Sequence, residues 1–178
     1  MRYVLLLRGI NVGGKNKVSM AELKEMISHL GYTNVISYIN SGNIIFDTSD
    51  SIDTVNQNIS TILNTYPFKI NKVILSQSKY LEELENLPSW WFNDSYRKDV
   101  LFYTNEIDYS FMRARIEQMP LLDEAVHFGK NAVFWGKYNE NSYLKTSYHK
   151  YLIKESFYNS ITIRNSRTFE KIADILKK

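Results

Sequence analysis

Residues 20–47 read MAELKEMISHLGYTNVISYINSGNIIFD, and this stretch decides the fold. Met20, Leu23, Ile27 and Leu30 recur at helical spacing. Ser19 stands three residues before Glu22, the spacing of a capping box, and Gly31 is a helix stop. Two apolar runs follow, over 34–39 and 43–47, joined by Asn40-Ser41-Gly42. Short apolar runs around such a turn read as a β-hairpin. Upstream, residues 2–7 form a buried strand. Downstream, Ile52, Val55, Ile59, Ile62 and Leu63 mark a second helix with Pro67 just past its end. A fourth strand covers 69–75 around Val73-Ile74-Leu75. The order is β-α-β-β-α-β, the split βαβ arrangement of ferredoxin-like domains.

The rest of the chain repeats this order without repeating the sequence. Residues 78–88 read as a short helix with Leu81, Leu84 and Leu87 on one side, interrupted by Pro88-Ser89-Trp90-Trp91-Phe92. A strand over 99–104 follows. Phe111, Met112, Ile116 and Met119 mark a helix that Pro120 ends. Residues 122–128 and 131–136 form a hairpin around Gly129-Lys130. Leu144, Tyr148, Tyr151 and Leu152 mark one helix, 160–164 a strand, and Phe169, Ile172, Ile175 and Leu176 a last helix. The expected fold is α+β, two ferredoxin-like βαββαβ halves with an extra C-terminal helix. Residues 1–76 are the first half with its glycine-rich loop. Residues 77–97 are a linker helix and Trp-Trp segment, and 98–178 the second half with the C-terminal helix. Trp90 and Trp91 are expected to pack between the halves, since a Pro-flanked linker needs an interface core. Base stacking is their alternative use.

Composition removes several classes. The chain has no cysteine, which excludes a disulfide scaffold, a thiolate metal site and a cysteine nucleophile. Residues 3–7 are too short for a secretory signal, and Arg8 closes them. No stretch approaches the roughly 18 apolar residues of a membrane helix. The expected setting is the cytoplasm. A net charge of +3 falls short of the clustered basicity of a nucleic-acid protein. His29, His127 and His149 are far apart and show no metal spacing, and no cofactor motif is present.

Function is read from where the loops meet. In a split βαβ unit, strands one and two run parallel with strand three antiparallel between them. The loop after strand one, residues 8–18, therefore opens on the same edge as the hairpin turn, residues 40–43. This edge carries Arg8, Gly9, Asn11, Gly13, Gly14, Lys15, Asn16, Lys17, Asn40, Ser41 and Asn43. Glycine permits positive φ and close approach of a ligand to the backbone, and successive N–H groups in a concavity hold anions. The following helix adds its positive end, and Arg8, Lys15 and Lys17 add full charges. The plain alternative is a long turn with solvated lysines. A weaker anion site is read at Arg164, Asn165 and Arg167, with Asn165 or Ser166 as helix cap. Residues Gly9 to Lys15 satisfy G-x-x-x-x-G-K, but Asn16 stands where Ser or Thr should hold magnesium, so a nucleotide-hydrolase loop is set aside. Ser142-x-x-Lys145 and Ser76-x-x-Lys79 share a serine–lysine spacing too common to carry weight.

Leu5-Leu-Leu-Arg-Gly-Ile-Asn-Val-Gly-Gly-Lys-Asn-Lys17, Met20-Ala-Glu-Leu23 and Tyr38-Ile-Asn-Ser-Gly-Asn43 resemble the bacterial domain-of-unknown-function family 1697. Thr162-Ile-Arg-Asn165 followed by Thr168 and Lys171 resembles that family's ending, with Ser166-Arg167 where a Trp-Asn pair often stands. The resemblance implies a ferredoxin-like fold and no assigned activity or catalytic residue. The leading expectation is a phosphate-bearing or other anionic small ligand, or a nucleotide, at the loop edge. The alternatives are RNA or single-stranded DNA on a sheet face, supported by Tyr3 and Phe46, and a protein-interaction module without catalysis.

Overall fold

Tyr3, Val4, Leu5, Leu6 and Leu7 are all buried in a computed structural model that describes residues 1–104 and 106–178. A strand with no solvent-facing side is central to its sheet and covered on both faces. This strand, β1 (Arg2–Leu7), has that position. It is followed by α1 (Met20–His29), β2 (Thr33–Tyr38), β3 (Asn43–Asp47), α2 (Ile52–Leu63) and β4 (Lys72–Ser76). The sheet order is β2-β3-β1-β4, and every neighbouring pair is antiparallel. Ser19 caps α1 through Glu22 N–H, as its spacing predicts, and Ser51 caps α2 through Thr54 N–H.

One face of this sheet presents Tyr3, Leu5, Leu7, Ile44 and Phe46 to Leu23 and Ile27 of α1 and Val55 and Ile59 of α2. Each such side chain stabilises the fold by roughly 1.5–3 kcal/mol through removal from water. Side chains alternate along a strand, so Val4, Leu6, Ile45, Val73 and Leu75 lie on the other face, and they are buried too. The sheet therefore offers no open apolar platform for bases. Tyr3 and Phe46, which supported the nucleic-acid reading, are 2% and 0% exposed. Phe46 stacks on Tyr32 at 5.1 Å, and the Tyr3 hydroxyl donates to the Asp50 carbonyl. Both are core residues, and that support is withdrawn.

The chain forms two units, Met1–Leu81 with Ile172–Lys178, and Glu82–Lys171. Helix α3 (Gln77–Glu85) leads into β5 (Arg97–Tyr103), α4 (Tyr109–Glu117), β6 (Glu124–Phe128), β7 (Ala132–Lys137), α5 (Ser147–Lys150), β8 (Ile161–Asn165) and α6 (Ser166–Leu176). The second sheet has the order β6-β7-β5-β8, again antiparallel throughout. The described residues thus hold two four-stranded antiparallel sheets and six α-helices, an α+β fold.

One element departs from its sequence reading. The single helix expected through Leu144, Tyr148, Tyr151 and Leu152 is a chain of short turns: 3₁₀ turns at 143–145, 152–154 and 156–160, with α5 only four residues long. The cause is long-range. The Glu124 carboxylate, projecting from β6, accepts the N–H groups of Ser147 and Tyr148 and the indole N–H of Trp135. Thr146 Oγ1 donates to the Tyr143 carbonyl, and Ser147 Oγ to that of Pro120. These side-chain bonds compete with a continuous helical ladder, while Tyr148, Leu152 and Phe157 each enter the core.

The tryptophans also settle within the second unit. Trp91 is buried edge-on against Phe134 and Phe169, and its Nε1–H donates to Glu170 at 2.9 Å. Trp90 lies over Gly136, where a Cβ would come within 2.8 Å of the indole. The same unit buries a charge pair. Lys137 Nζ is 2.5 Å from Asp99 Oδ2, both are 0% exposed, and Asp99 also accepts from Arg97 Nε at 2.9 Å.

Candidate functional site

Because β1 and β2 both run antiparallel to β3, their carboxyl ends lie on one edge. The loop after β1 and the β2–β3 turn do meet there. Leu7 N–H donates to Gly42 O at 2.8 Å, and Asn11 Nδ2 donates to Asn40 O at 2.9 Å. On the other side, Arg8 N–H donates to Asn71 O.

The loop is held by its own backbone hydrogen bonds. Asn11 N–H bonds to Asn16 O and Lys15 N–H to Val12 O, closing a miniature hairpin. Gly13 and Gly14 form its tip with φ of +57° and +74°. Two successive positive φ values define a type I′ turn. The positive φ read for these glycines therefore serves a turn, within which the Lys15 amide is engaged.

Asn11 organises the whole segment. Its side chain accepts from Val18 N–H at 2.8 Å and donates to Val18 O and Asn40 O. Asn16 Nδ2 donates to Gly9 O. Asn43 is 1% exposed, and its amide donates to Tyr38 O and Ser41 Oγ. These asparagines hold the edge together through their side-chain amides. Asn11→Ala is therefore expected to cost about 1–3 kcal/mol in chemical denaturation, since Val18 N–H loses its partner. A loss below about 0.5 kcal/mol would show that the loop holds itself without this staple.

Lys15 and Lys17 remain exposed. A shallow, open depression of about 540 Å³ joins both segments, lined by Asn11, Lys17, Ser19, Met20 and Asn40 among others. Ser19 and Met20 mark the start of α1, so the positive end of that helix faces the depression. The second anion site is not available as read. Arg164 is buried, donating to Thr162 Oγ1 and Ile163 O, while Arg167 is exposed. Asn165 is the helix cap, its Oδ1 accepting from Thr168 N–H at 2.8 Å. No cluster of three or more acidic or histidine side chains capable of holding a metal occurs among the described residues. None of their helices is long and apolar enough to cross a membrane.

Sequence reasoning missed two features of the second unit. One is the buried Asp99–Lys137 pair, whose only signal is a charge inside each of two apolar strands. The other is a cleft of about 580 Å³ beside the β6–β7 turn. It draws on Glu82, Glu83 and Asn86, on Tyr103 and Tyr109, and on residues 127–130, and nothing local relates these segments.

Three comparisons place the molecule. The model of a protein family of unknown function, DUF1697, matches residues 1–134. No curated protein matches the chain. A solved structure described as that of conserved bacterial protein SP0830 from Streptococcus pneumoniae is 52% identical, with a TM-score of 0.93 over 98% of each chain. The family match covers most of the chain, and the chain belongs to the DUF1697 family of proteins of unknown function.

Proposed function

We propose that each unit is a ferredoxin-like module and that the first binds a phosphate-bearing or similarly anionic small ligand where residues 8–18 meet residues 40–43. The observation that carries this reading is the shared depression, with Lys17 on its wall and the start of α1 beside it. A helix N-terminus and nearby ammonium groups both favour negative charge. The tightly bonded hairpin of residues 11–16 supports it, because ligand groups act best from a rigid frame. The cysteine-free composition suits a cytoplasmic metabolite. Nucleic acid is the weaker reading, since both sheet faces are covered.

Thermal-shift titration with inorganic phosphate, nucleotides and sugar phosphates tests the proposal, because a ligand of the native state raises Tm. Lys15→Ala/Lys17→Ala is expected to leave stability within about 0.5 kcal/mol. The same variant should weaken the ligand by about 1.5–3 kcal/mol per lost charge-assisted bond. Equal affinity in parent and double variant would move the ligand elsewhere. A steep salt dependence with oligonucleotides, from release of counterions, would favour the nucleic-acid reading instead.

A further inference from the structure

The tip of the β6–β7 hairpin is built around a carboxylate. Glu83, on α3, is buried, and its Oε1 accepts from the backbone N–H of Asn131 at 2.6 Å and from its side-chain amide at 3.0 Å. Gly129 makes the approach feasible, since a Cβ there would come within 2.0 Å of Glu83 Oε2. Lys130, the next residue of the tip, pairs with Glu82. Tyr103 donates its hydroxyl to the Lys130 carbonyl at 2.5 Å and fixes the tip from the other side.

Beside this tip opens the cleft of about 580 Å³, lined by Tyr103, Tyr109, His127 and Phe128 together with Glu82 and Glu83. Its size lies within the range of small-ligand sites. The Tyr103 and Tyr109 rings stand 5.6 Å apart, tilted by 42°. Two cations already use these walls. The Arg113 guanidinium lies 4.9 Å from the centre of the Phe128 ring, and the Lys130 ammonium is on Glu82.

We propose that this cleft binds a small organic cation, an ammonium or guanidinium, between its aromatic walls and the Glu82 carboxylate, with Lys130 giving up its place. Ring faces attract cations through their quadrupole. Both neighbouring cations are already paired, Lys130 with Glu82 and Arg113 with Glu117, so an anion would have to displace a carboxylate. A neutral apolar ligand would bury carboxylate oxygen without a partner. Lys130 is largely exposed, and an exposed ion pair is weak enough to exchange. Glu83 keeps its structural role under the turn. This site lies within the second unit and is independent of the anion reading of the first.

NMR titration of the full chain with agmatine and with tetramethylammonium chloride tests it, against sodium chloride at matched ionic strength. Saturable shifts confined to the cleft are expected. Glu82→Gln and Tyr109→Leu should each weaken them by about tenfold while the melting temperature holds. Lys130→Ala should tighten binding, because the internal competitor is gone. Absence of saturation in the parent overturns the proposal. So does equal response to sodium chloride, unchanged affinity in both weakening variants, or stronger binding of benzoate than of either cation.

Discussion

Asp99→Ala is expected to lower the unfolding free energy by about 3–5 kcal/mol. The carboxylate is 0% exposed and accepts from both Lys137 and Arg97. Its removal leaves the Lys137 ammonium buried without its hydrogen-bonded carboxylate, against the ring faces of Tyr148 at 3.5 Å and Tyr143 at 5.8 Å from their centroids. Ring faces do not replace a carboxylate in a dry interior. Asp99→Leu combined with Lys137→Met should recover most of the loss, because no charge is then left stranded. Urea denaturation of the two variants checks both statements, and a single-variant loss below about 1 kcal/mol would contradict the burial argument. The pair also sets a pH signature. Burial pushes the Lys137 ammonium down to about 8, against the pull of Asp99. Between about 8 and 10.5 the unfolded lysine holds a proton that the folded one has released. Stability then rises with pH through that window, and the penalty of a buried ammonium is full below it. Lys137→Met should remove this slope.

Gly42→Ala is expected to cost about 2–5 kcal/mol, with two causes that act together. Gly42 has φ of +78°, a region that disfavours a side chain by about 1–2 kcal/mol. A Cβ there would also stand 2.6 Å from Leu7 Cβ and 3.0 Å from Ile10 Cδ1. Both side chains are buried, Leu7 on β1 and Ile10 in the loop that follows, and forcing them apart costs about 1–3 kcal/mol. Gly13 is the control: its φ of +57° is unfavourable too, but nothing lies within 4 Å of its Cβ position. Gly13→Ala should therefore cost only about 1–2 kcal/mol. Equal losses at the two positions, measured by chemical denaturation, would rule out the steric part. Gly42 O also accepts from Leu7 N–H, so its displacement would separate loop from turn and weaken any ligand at that edge together with stability.

The glycines of the loop show how one local composition carries two readings. Gly13-Gly14 between Val12 and Lys15 carries a hairpin signal as well as an anion-loop signal. Backbone hydrogen bonds form the hairpin, and the proposed anion edge is built on it. Arg164 was legible as a cation, but its burial depends on which face of β8 it takes, which pairing with β5 settles. The helix expected over 144–152 had the right apolar spacing. It is broken by Glu124, a side chain some twenty residues upstream that no periodicity can reveal.

Residue periodicity, turn residues and caps determined by themselves the eight strands' approximate places, the repeated element order and the meeting of residues 8–18 with 40–43. These follow from interactions over a few residues, and antiparallel pairing then leaves little freedom. Tertiary structure alone decided that both faces of each sheet are covered, that Asp99 and Lys137 meet at 2.5 Å, and that Glu82 and Glu83 come under a hairpin more than forty residues away. The physical reason is the same in each case. Burial and charge pairing depend on which distant surfaces exclude water, and only the assembled chain creates those surfaces.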